Sequence, residues 1–228
     1  MRFLVVLGVA GAVLLLLAGI FVYALLPGVV ENRISANLQE RYGLEERPAV
    51  KVSSSFPPEL LLGRIDRVEV GIDRMTRGGV ALRDVRADLE DVDVSVRSLL
   101  EGDVEREIGY VALRAEVPEE EINAYLRENN LGLAGGEMNV RKSGVIYRSE
   151  DALFGFPASV DLDLRVGGPR TIEVVPSDLV VGGFLLPPYV TGLLSVESRT
   201  LELGELPLGT ELKGVGPEQN ALVVRAER

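Results

Sequence analysis

The chain lacks cysteine, histidine and tryptophan, and aromatic residues make up only 5% of its 228 residues. Without cysteine it can form neither a disulfide nor a thiol nucleophile, and no lipid can be attached to it through a cysteine. Without histidine, a Ser-His triad and a His-ligated metal site are excluded. The fold must therefore be held together by its core alone.

Basic residues are in the minority, with 24 Lys and Arg against 35 Asp and Glu. Only Arg2 precedes residue 27, so the rest of the chain carries 23 basic and 35 acidic residues and a net charge of −12. Such a charge argues against binding to nucleic acid and against electrostatic docking on anionic lipid headgroups. We expect no nucleic-acid partner.

Carboxylates are the catalytic groups that this composition leaves. Four of them lie close together in a predicted strand: Asp88, Glu90, Asp91 and Asp93. A carboxylate pair could serve a glycosidase, but Asp91 and Asp93 alternate with valines, as expected of a solvated strand face. The run Glu119–Glu121 opens a predicted helix, where acids complement the positive end of the helix dipole. We predict no catalytic residue, no metal ligand and no cofactor.

The longest apolar stretch is Phe3–Leu26, 24 residues without a charged or strongly polar side chain. As a helix it would be about 36 Å long, enough to cross a hydrocarbon core of about 30 Å. The residues Tyr23–Pro27 are bulky where signal peptidase needs small ones, so residues 1–27 are predicted to be a transmembrane signal anchor rather than a cleaved signal peptide. Arg2 on the short side predicts a single-pass protein of the cytoplasmic membrane whose C-terminal domain is extracytoplasmic.

Residues 28–47 are predicted to form an amphipathic helix and a linker. The apolar stripe of this helix, at helical spacing, comprises Val29, Val30, Ile34, Leu38 and Tyr42. Gly43 follows, where a helix C-cap favours a left-handed residue. We expect the stripe to pack on the domain; lying on the membrane is the alternative.

From Pro48 the hydrophobic period changes to two, and residues 48–228 are predicted to form an α+β domain with a curved, mostly antiparallel sheet. The predicted order is strands, a helix opened by Pro118, more strands, a short helix over about 188–196 and further strands. The final hairpin is expected to turn across Gly216–Asn220.

One predicted strand region, residues 80–96, changes the parity of its apolar positions twice. The changes fall between Leu82 and Val85 and between Leu89 and Val92. They indicate either two β-bulges or a very short turn, and bulges would bend the sheet.

Three runs carry apolar side chains on both faces of a strand: Leu60–Leu62, Leu153–Phe156 and Phe184–Leu186. A curved sheet with two helices could bury such runs as an ordinary core or around an elongated pocket. The residues alone favour the ordinary core.

Several short motifs occur in order after the apolar segment. They are Phe56-Pro57 with Leu60-Leu61-Leu62-Gly63, Val68-x-Val70, Leu82-x-x-Val85, Val92-x-Val94, Leu99-Leu100-x-Gly102, Glu121-Ile122-Asn123-x-Tyr125-Leu126, Leu206-Pro207-Leu208-Gly209-x-x-Leu212 and Val223-x-Arg225-Ala226. In this order the chain resembles the LmeA family of phospholipid-binding proteins of the bacterial cell envelope. The resemblance implies an exported protein with a fold like the tubular lipid-binding (TULIP) architecture, in which a curved sheet wraps one or two helices and leaves an apolar groove for acyl chains.

The resemblance brings no catalytic residues and implies that residues 48–228 bind phospholipid or a related acyl lipid, without enzymatic activity, in support of envelope lipid or lipoglycan metabolism. The alternative is a non-enzymatic scaffold module that binds an envelope enzyme through its sheet edge. The predicted groove lining comes from the apolar runs and the helix after Pro118: Leu60, Leu61, Leu62, Ile122, Tyr125, Leu126, Phe154, Phe156, Phe184, Leu186, Tyr189 and Val190.

The apolar segment Phe3–Leu26 gives a prediction about topology. The protein should remain in the membrane after carbonate washing, because a buried span is not released by loss of electrostatic contacts. Protease added from outside should reach residues 27–228. A mature N-terminus near Pro27, found by peptide sequencing, would contradict the anchor.

Overall fold

The computed structural model describes Gly19, Tyr23 and residues 25–77, 80–94, 106–128, 136–153, 156–187, 199–203 and 205–228. The chain divides into two compact units. Unit 1 comprises Met1–Gly71 and Ala87–Val111, and unit 2 comprises Ile72–Arg86 and Ala112–Arg228.

Unit 1 begins with helix α1, Leu26–Tyr42, followed by strand β1, Ala49–Ser53, and a 3₁₀ segment, Pro57–Leu62. Pro27 suits the first turn of α1, since its missing N–H has no partner there in any helix. The helix ends at Gly43, whose φ of 60° lets its N–H reach the carbonyl of Gln39. The predicted helix is therefore confirmed, with a start two residues earlier.

Three long strands run from one unit into the other: β2 (Arg64–Arg77), β3 (Val80–Val94) and β4 (Arg106–Pro118). β3 is continuous, but its backbone is left-handed at Asp84 (φ 45°) and Asp91 (φ 54°). These two residues lie where the apolar parity changes, so the irregularities are bulges within one strand and not a turn. Gly109 of β4 lies against the second bulge, because a Cβ there would come within 3.0 Å of Cβ of Asp91.

In unit 1 the strands place aliphatic residues on one face and charges on the other. β1 and β2 are antiparallel, with Val52 opposite Val68 and Lys51 opposite Glu69. Val52 and Val68 are both buried, whereas Lys51 and Glu69 are exposed. The predicted two-residue period of the first strand is thus confirmed.

Unit 2 contains helix α2 (Glu119–Glu128) and the remaining strands: β5 (Glu137–Arg141), β6 (Gly144–Leu153), β7 (Phe156–Gly168), β8 (Thr171–Val181), β9 (Phe184–Leu185), β10 (Arg199–Glu202), β11 (Glu211–Glu218) and β12 (Ala221–Glu227). A second 3₁₀ turn spans Pro207–Gly209. The strand orders are β1-β2-β3-β4-β12-β11 and β10-β8-β7-β6-β5, with β9 paired to β8. All the pairings described are antiparallel, which confirms the predicted α+β class.

Helix α2 is attached to the edge strand β5 by side chains rather than by apolar packing alone. The Asn123 amide accepts a hydrogen bond from the Met138 N–H at 2.6 Å and donates one to the Met138 carbonyl at 2.8 Å. The Glu119 carboxylate accepts a bond from the Val140 N–H at 2.6 Å. The Asn220 N–H in the β11–β12 turn donates to the Val140 carbonyl at 3.1 Å. Glu119 therefore has a specific partner in addition to the helix dipole.

Other sequence predictions are met in part. The β5–β6 hairpin turns at Lys142–Ser143, and the final hairpin, which was expected to turn across Gly216–Asn220, turns at Gln219–Asn220 alone. Gly216–Glu218 instead continue β11, because their partners in β12 extend to Ala221. β10 and the two-residue β9 were not predicted. The short helix predicted over 188–196 lies outside the described residues.

The predicted anchor, Phe3–Leu26, also lies largely outside the described residues. Among those that the structure describes, no helix is long and apolar enough to cross a membrane.

The contact between α2 and β5 gives a prediction about stability. Asn123→Ala should lower the free energy of unfolding by about 2 kcal/mol or more, because two backbone groups of Met138 lose their partner and each unsatisfied buried group costs about 1–3 kcal/mol. Chemical denaturation measures this change. Asn32→Ala, at an exposed asparagine bonded to Gly28, should stay within about 0.5 kcal/mol. Equal effects of the two substitutions would contradict the role of Asn123.

Candidate lipid-binding site

In unit 1, aliphatic side chains of α1, of the 3₁₀ segment and of the inner face of the strands pack together between the helix and the sheet. We name this cluster the aliphatic layer. Its buried members are Leu26, Val52, Leu60, Ile65, Val68 and Val92. Its partly buried members are Val30, Ile34, Val50, Val70, Leu89 and Ile108. Half of the described lining therefore retains contact with solvent although a helix covers the sheet.

The helix contributes Leu26, Val30 and Ile34 to this layer, one residue per turn. The predicted stripe was partly wrong, because Val29 is 57% exposed and Tyr42 is 43% exposed. The actual stripe is rotated towards Ser35, which is buried and donates from Oγ to the Pro48 carbonyl at 2.8 Å. That hydrogen bond fixes which face of α1 meets the sheet.

The 3₁₀ segment brings only one of the three consecutive leucines into the layer. Leu60 is 8% exposed, whereas Leu61 is 51% and Leu62 is 65% exposed. Two prolines begin the segment, and Gly63 ends it with a φ of 83° that favours glycine. Of the predicted groove residues in unit 1, Leu60 alone lines the layer.

A carboxylate holds the chain immediately before the 3₁₀ segment. Oδ2 of Asp66 accepts hydrogen bonds from Oγ and from the backbone N–H of Ser55, each at 2.6 Å. Both bonds favour the ionised carboxylate and lower the pKa of Asp66 below its ordinary value of 3.8. Asp66 thereby ties the start of the segment to β2.

Three other predicted residues lie on α2 in unit 2. Ile122 and Leu126 are half-buried, and Tyr125 is 39% exposed. Asn123 between them is buried, for the hydrogen-bonding reason given above. The apolar face of α2 is thus only partly covered.

Three more predicted residues are brought together at one end of the β7–β8–β9 sheet. The Phe156 ring lies against Gly182, and Phe184 pairs with Val181 across the turn. Gly182 and Gly183 both have positive φ, which the two-residue hairpin turn requires. Phe156 and Phe184 are exposed, whereas Leu186 packs on the buried cluster of Ala158, Val160 and Leu179. Phe154, Tyr189 and Val190 lie outside the described residues.

Of the four carboxylates considered for glycosidase chemistry, Asp88, Glu90 and Asp93 are engaged in ion pairs. Arg67 pairs with Glu69, Asp88 and Glu90, and Arg64 lies 3.8 Å from Asp93. The hydrogen bond to Asp88 raises the pKa of Arg67. Within the described ranges, no group of three or more acidic side chains is arranged to hold a metal ion.

A second set of ion pairs surrounds Arg114 in unit 2. Its guanidinium bonds to Asp84 at 2.6 Å, to Glu116 at 2.7 Å and to Glu218 at 3.2 Å. Burial lowers the pKa of Arg114, but the bonds to these carboxylates outweigh burial and the net change is upward. These carboxylates therefore serve as counter-ions that join β3, β4 and β11.

Sequence reasoning missed most of the residues in the aliphatic layer. Val50, Val70, Leu89 and Ile108 belong to ordinary alternating strands, and their sequence pattern did not distinguish them from a plain core. The alternation of apolar and polar residues showed which side chains lie on the inner face of the strands. It did not show what packs against that face.

Asp66 gives a prediction about pH dependence. Because folding lowers its pKa, Asp66 contributes stability above about pH 3.8, and this contribution is lost as the pH falls through the lowered value. Asp66→Asn should therefore destabilise the protein at pH 7, and the difference from the unchanged protein should shrink below pH 3.8. Urea unfolding at several pH values measures this. Asp73→Asn, at an exposed aspartate of the same strand, is the control; an identical pH profile for both variants would contradict the assignment.

One comparison with known proteins agrees with the resemblance seen in the motifs. Neither the curated proteins nor the solved structures include a match to this chain. A family profile described as LmeA-like phospholipid-binding matches residues 22–227. The match includes both helices, both 3₁₀ segments and the twelve strands that the structure describes. We conclude that the chain belongs to the LmeA-like phospholipid-binding family.

Proposed function

We propose that this protein binds a phospholipid, or a related acyl-chain lipid, with its acyl chains against the aliphatic layer of unit 1. The observation that carries the proposal is the half-buried lining: six of the twelve described side chains in the layer, two of them on α1 itself, remain partly accessible. Their exposed aliphatic surface is favourable to cover, and an acyl chain could cover it. Family membership supports phospholipid as the ligand.

The energetics favour recognition of acyl chains over recognition of headgroups. Burying acyl chains contributes about 0.8 kcal/mol per CH₂. The net charge of −12 after residue 26 offers no general attraction for an anionic headgroup. Affinity would therefore come from chain burial, and the protein would accept lipids that differ in their headgroups.

The proposed location is the outer side of the cytoplasmic membrane, with Phe3–Leu26 as the anchor. There the protein would support cell-envelope lipid or lipoglycan metabolism as a non-enzymatic carrier or presenter of lipid. The ion-paired carboxylates and the lack of His and Cys support a role without catalysis.

The scaffold alternative requires an open sheet edge. Two terminal strands already have bonds from helical side chains: Glu31 accepts from the Val52 N–H of β1, and Asn123 pairs with Met138 of β5. Such bonds leave less of each edge free to pair with another chain. At β1 and β5 the arrangement therefore disfavours pairing with a partner strand.

A substitution that fills space separates a lipid site from a plain core. Ile34→Trp should reduce the lipid that co-purifies with the protein, measured by mass spectrometry after gentle extraction. The free energy of unfolding should change by less than about 0.5 kcal/mol, because the indole would occupy space that lipid vacates.

Val52→Trp in the same layer is the matched control, since Val52 is only 7% exposed. Overpacking there should cost about 1–3 kcal/mol. The proposal fails if the unchanged protein carries no lipid, or if Ile34→Trp destabilises as much as Val52→Trp while the bound lipid is unchanged.

A further inference from the structure

Two hydrogen bonds fix the direction of β1 relative to α1. Oγ of Ser35 donates to the Pro48 carbonyl at 2.8 Å, and the Val52 N–H donates to Oε1 of Glu31 at 2.9 Å. As β1 proceeds from Pro48 to Val52, its partners therefore move towards the N-terminal end of α1. The 3₁₀ segment comes next in the chain and contacts α1, and Leu60 shares a buried cluster with Leu26. The segment thus lies beside the first turns of the helix.

This end of unit 1 exposes several bulky apolar side chains. Phe56 is 52%, Leu61 51% and Leu62 65% exposed on the 3₁₀ side. On the helix side, Leu25 is 56% and Val29 57% exposed. We name these five residues the apolar tip. Exposure of these apolar side chains to water is unfavourable, and they do not pack into the aliphatic layer.

The 3₁₀ side of the tip is held rigidly. The Gly63 N–H donates to the Leu60 carbonyl at 3.2 Å, and Asp66 binds the N–H and Oγ of Ser55. Two prolines begin the segment. Because the side chains are presented on a fixed backbone, little conformational entropy is lost when they bind an apolar surface.

We propose that the apolar tip inserts into the outer leaflet of the membrane in which the protein is anchored. The inference rests on the anchor of the proposed function. The apolar run Phe3–Leu26 ends where α1 begins, so the anchor would deliver the tip to the bilayer surface. Apolar faces of interfacial elements are buried about 5–10 Å into the headgroup and acyl boundary, a depth that Leu61 and Leu62 could reach. Leu61 and Leu62 would then contact the bilayer itself, while Leu60 faces the aliphatic layer inside unit 1.

The absence of cysteine allows a direct test with single labelled sites in the full-length chain. Leu62→Cys and Glu46→Cys each receive an environment-sensitive fluorophore. Each protein is then reconstituted in vesicles of phosphatidylcholine and phosphatidylglycerol with nitroxide-labelled phosphatidylcholine. Glu46 is the control because it is exposed and follows the far end of α1, whose length from Leu26 to Tyr42 is about 24 Å. The nitroxide lipid should quench the fluorophore at position 62 and leave the one at position 46 bright.

Equal quenching at both positions, or none at position 62, would overturn the inference. A second copy of the chain covering the tip would also overturn it. That outcome would appear as shielding of the labelled position 62 from iodide without nitroxide quenching, together with disulfides between chains of unlabelled Leu62→Cys protein. Lipid that co-purifies with the same two proteins after gentle extraction, measured by mass spectrometry before reconstitution, separates the two proposals: bound lipid without quenching refutes only the tip, and quenching without bound lipid refutes only the lipid site.

Discussion

The packing of α1 on the inner face of the strands is the interaction on which unit 1 depends. Full burial of an aliphatic side chain contributes about 1.5–3 kcal/mol, and α1 provides Leu26, Val30 and Ile34. The hydrogen bonds of Ser35 and Glu31 to the β1 region contribute less, about 0.5–1.5 kcal/mol each. Apolar burial therefore supplies the stability, whereas the hydrogen bonds select the rotation and direction of the helix. That selection determines which aliphatic residues face the layer and where the 3₁₀ segment is placed.

Both helices place polar side chains against unpaired backbone groups of an edge strand. Glu31 of α1 accepts the Val52 N–H of β1, and Glu119 and Asn123 of α2 bind Val140 and Met138 of β5. An open edge is a template for pairing with other chains, and side chains from a helix occupy part of it without adding a strand. The polar residues of these helices are thus as important to the fold as their apolar faces. Helical periodicity does not reveal this use, since Asn123 interrupts the apolar face between Ile122 and Tyr125.

Local patterns predicted the local structure well. Alternation identified β1, the parity changes located the bulges at Asp84 and Asp91, and Gly43 marked the end of α1. The candidate site was harder to predict, because its lining depends on which elements pack against each face of the strands. Leu60–Leu62 suggested side chains on both faces of a strand, but successive residues of a 3₁₀ helix point about 120° apart. Only Leu60 therefore faces the layer, and the other two leucines point away from it. The choice between strand and 3₁₀ geometry was made by Pro57, Pro58 and Gly63, whose effect on side-chain direction the hydrophobic pattern could not express.

In the proposed location the acidic domain would face an anionic membrane, so electrostatic repulsion must be weighed against apolar attraction. The domain's net charge of −12 would oppose approach, but surface charges separated by more than about 8 Å are largely screened at physiological salt. An anchor removes most of the remaining cost, because the domain is then held at the surface whatever its charge. Under that condition a few rigid apolar side chains suffice to orient it, each worth about 1.5–3 kcal/mol when fully buried. Orientation by apolar contact would also place the end of the layer near Leu26 and Leu60 closest to the bilayer. A lipid could then pass from the leaflet to the layer without exposing its acyl chains to water.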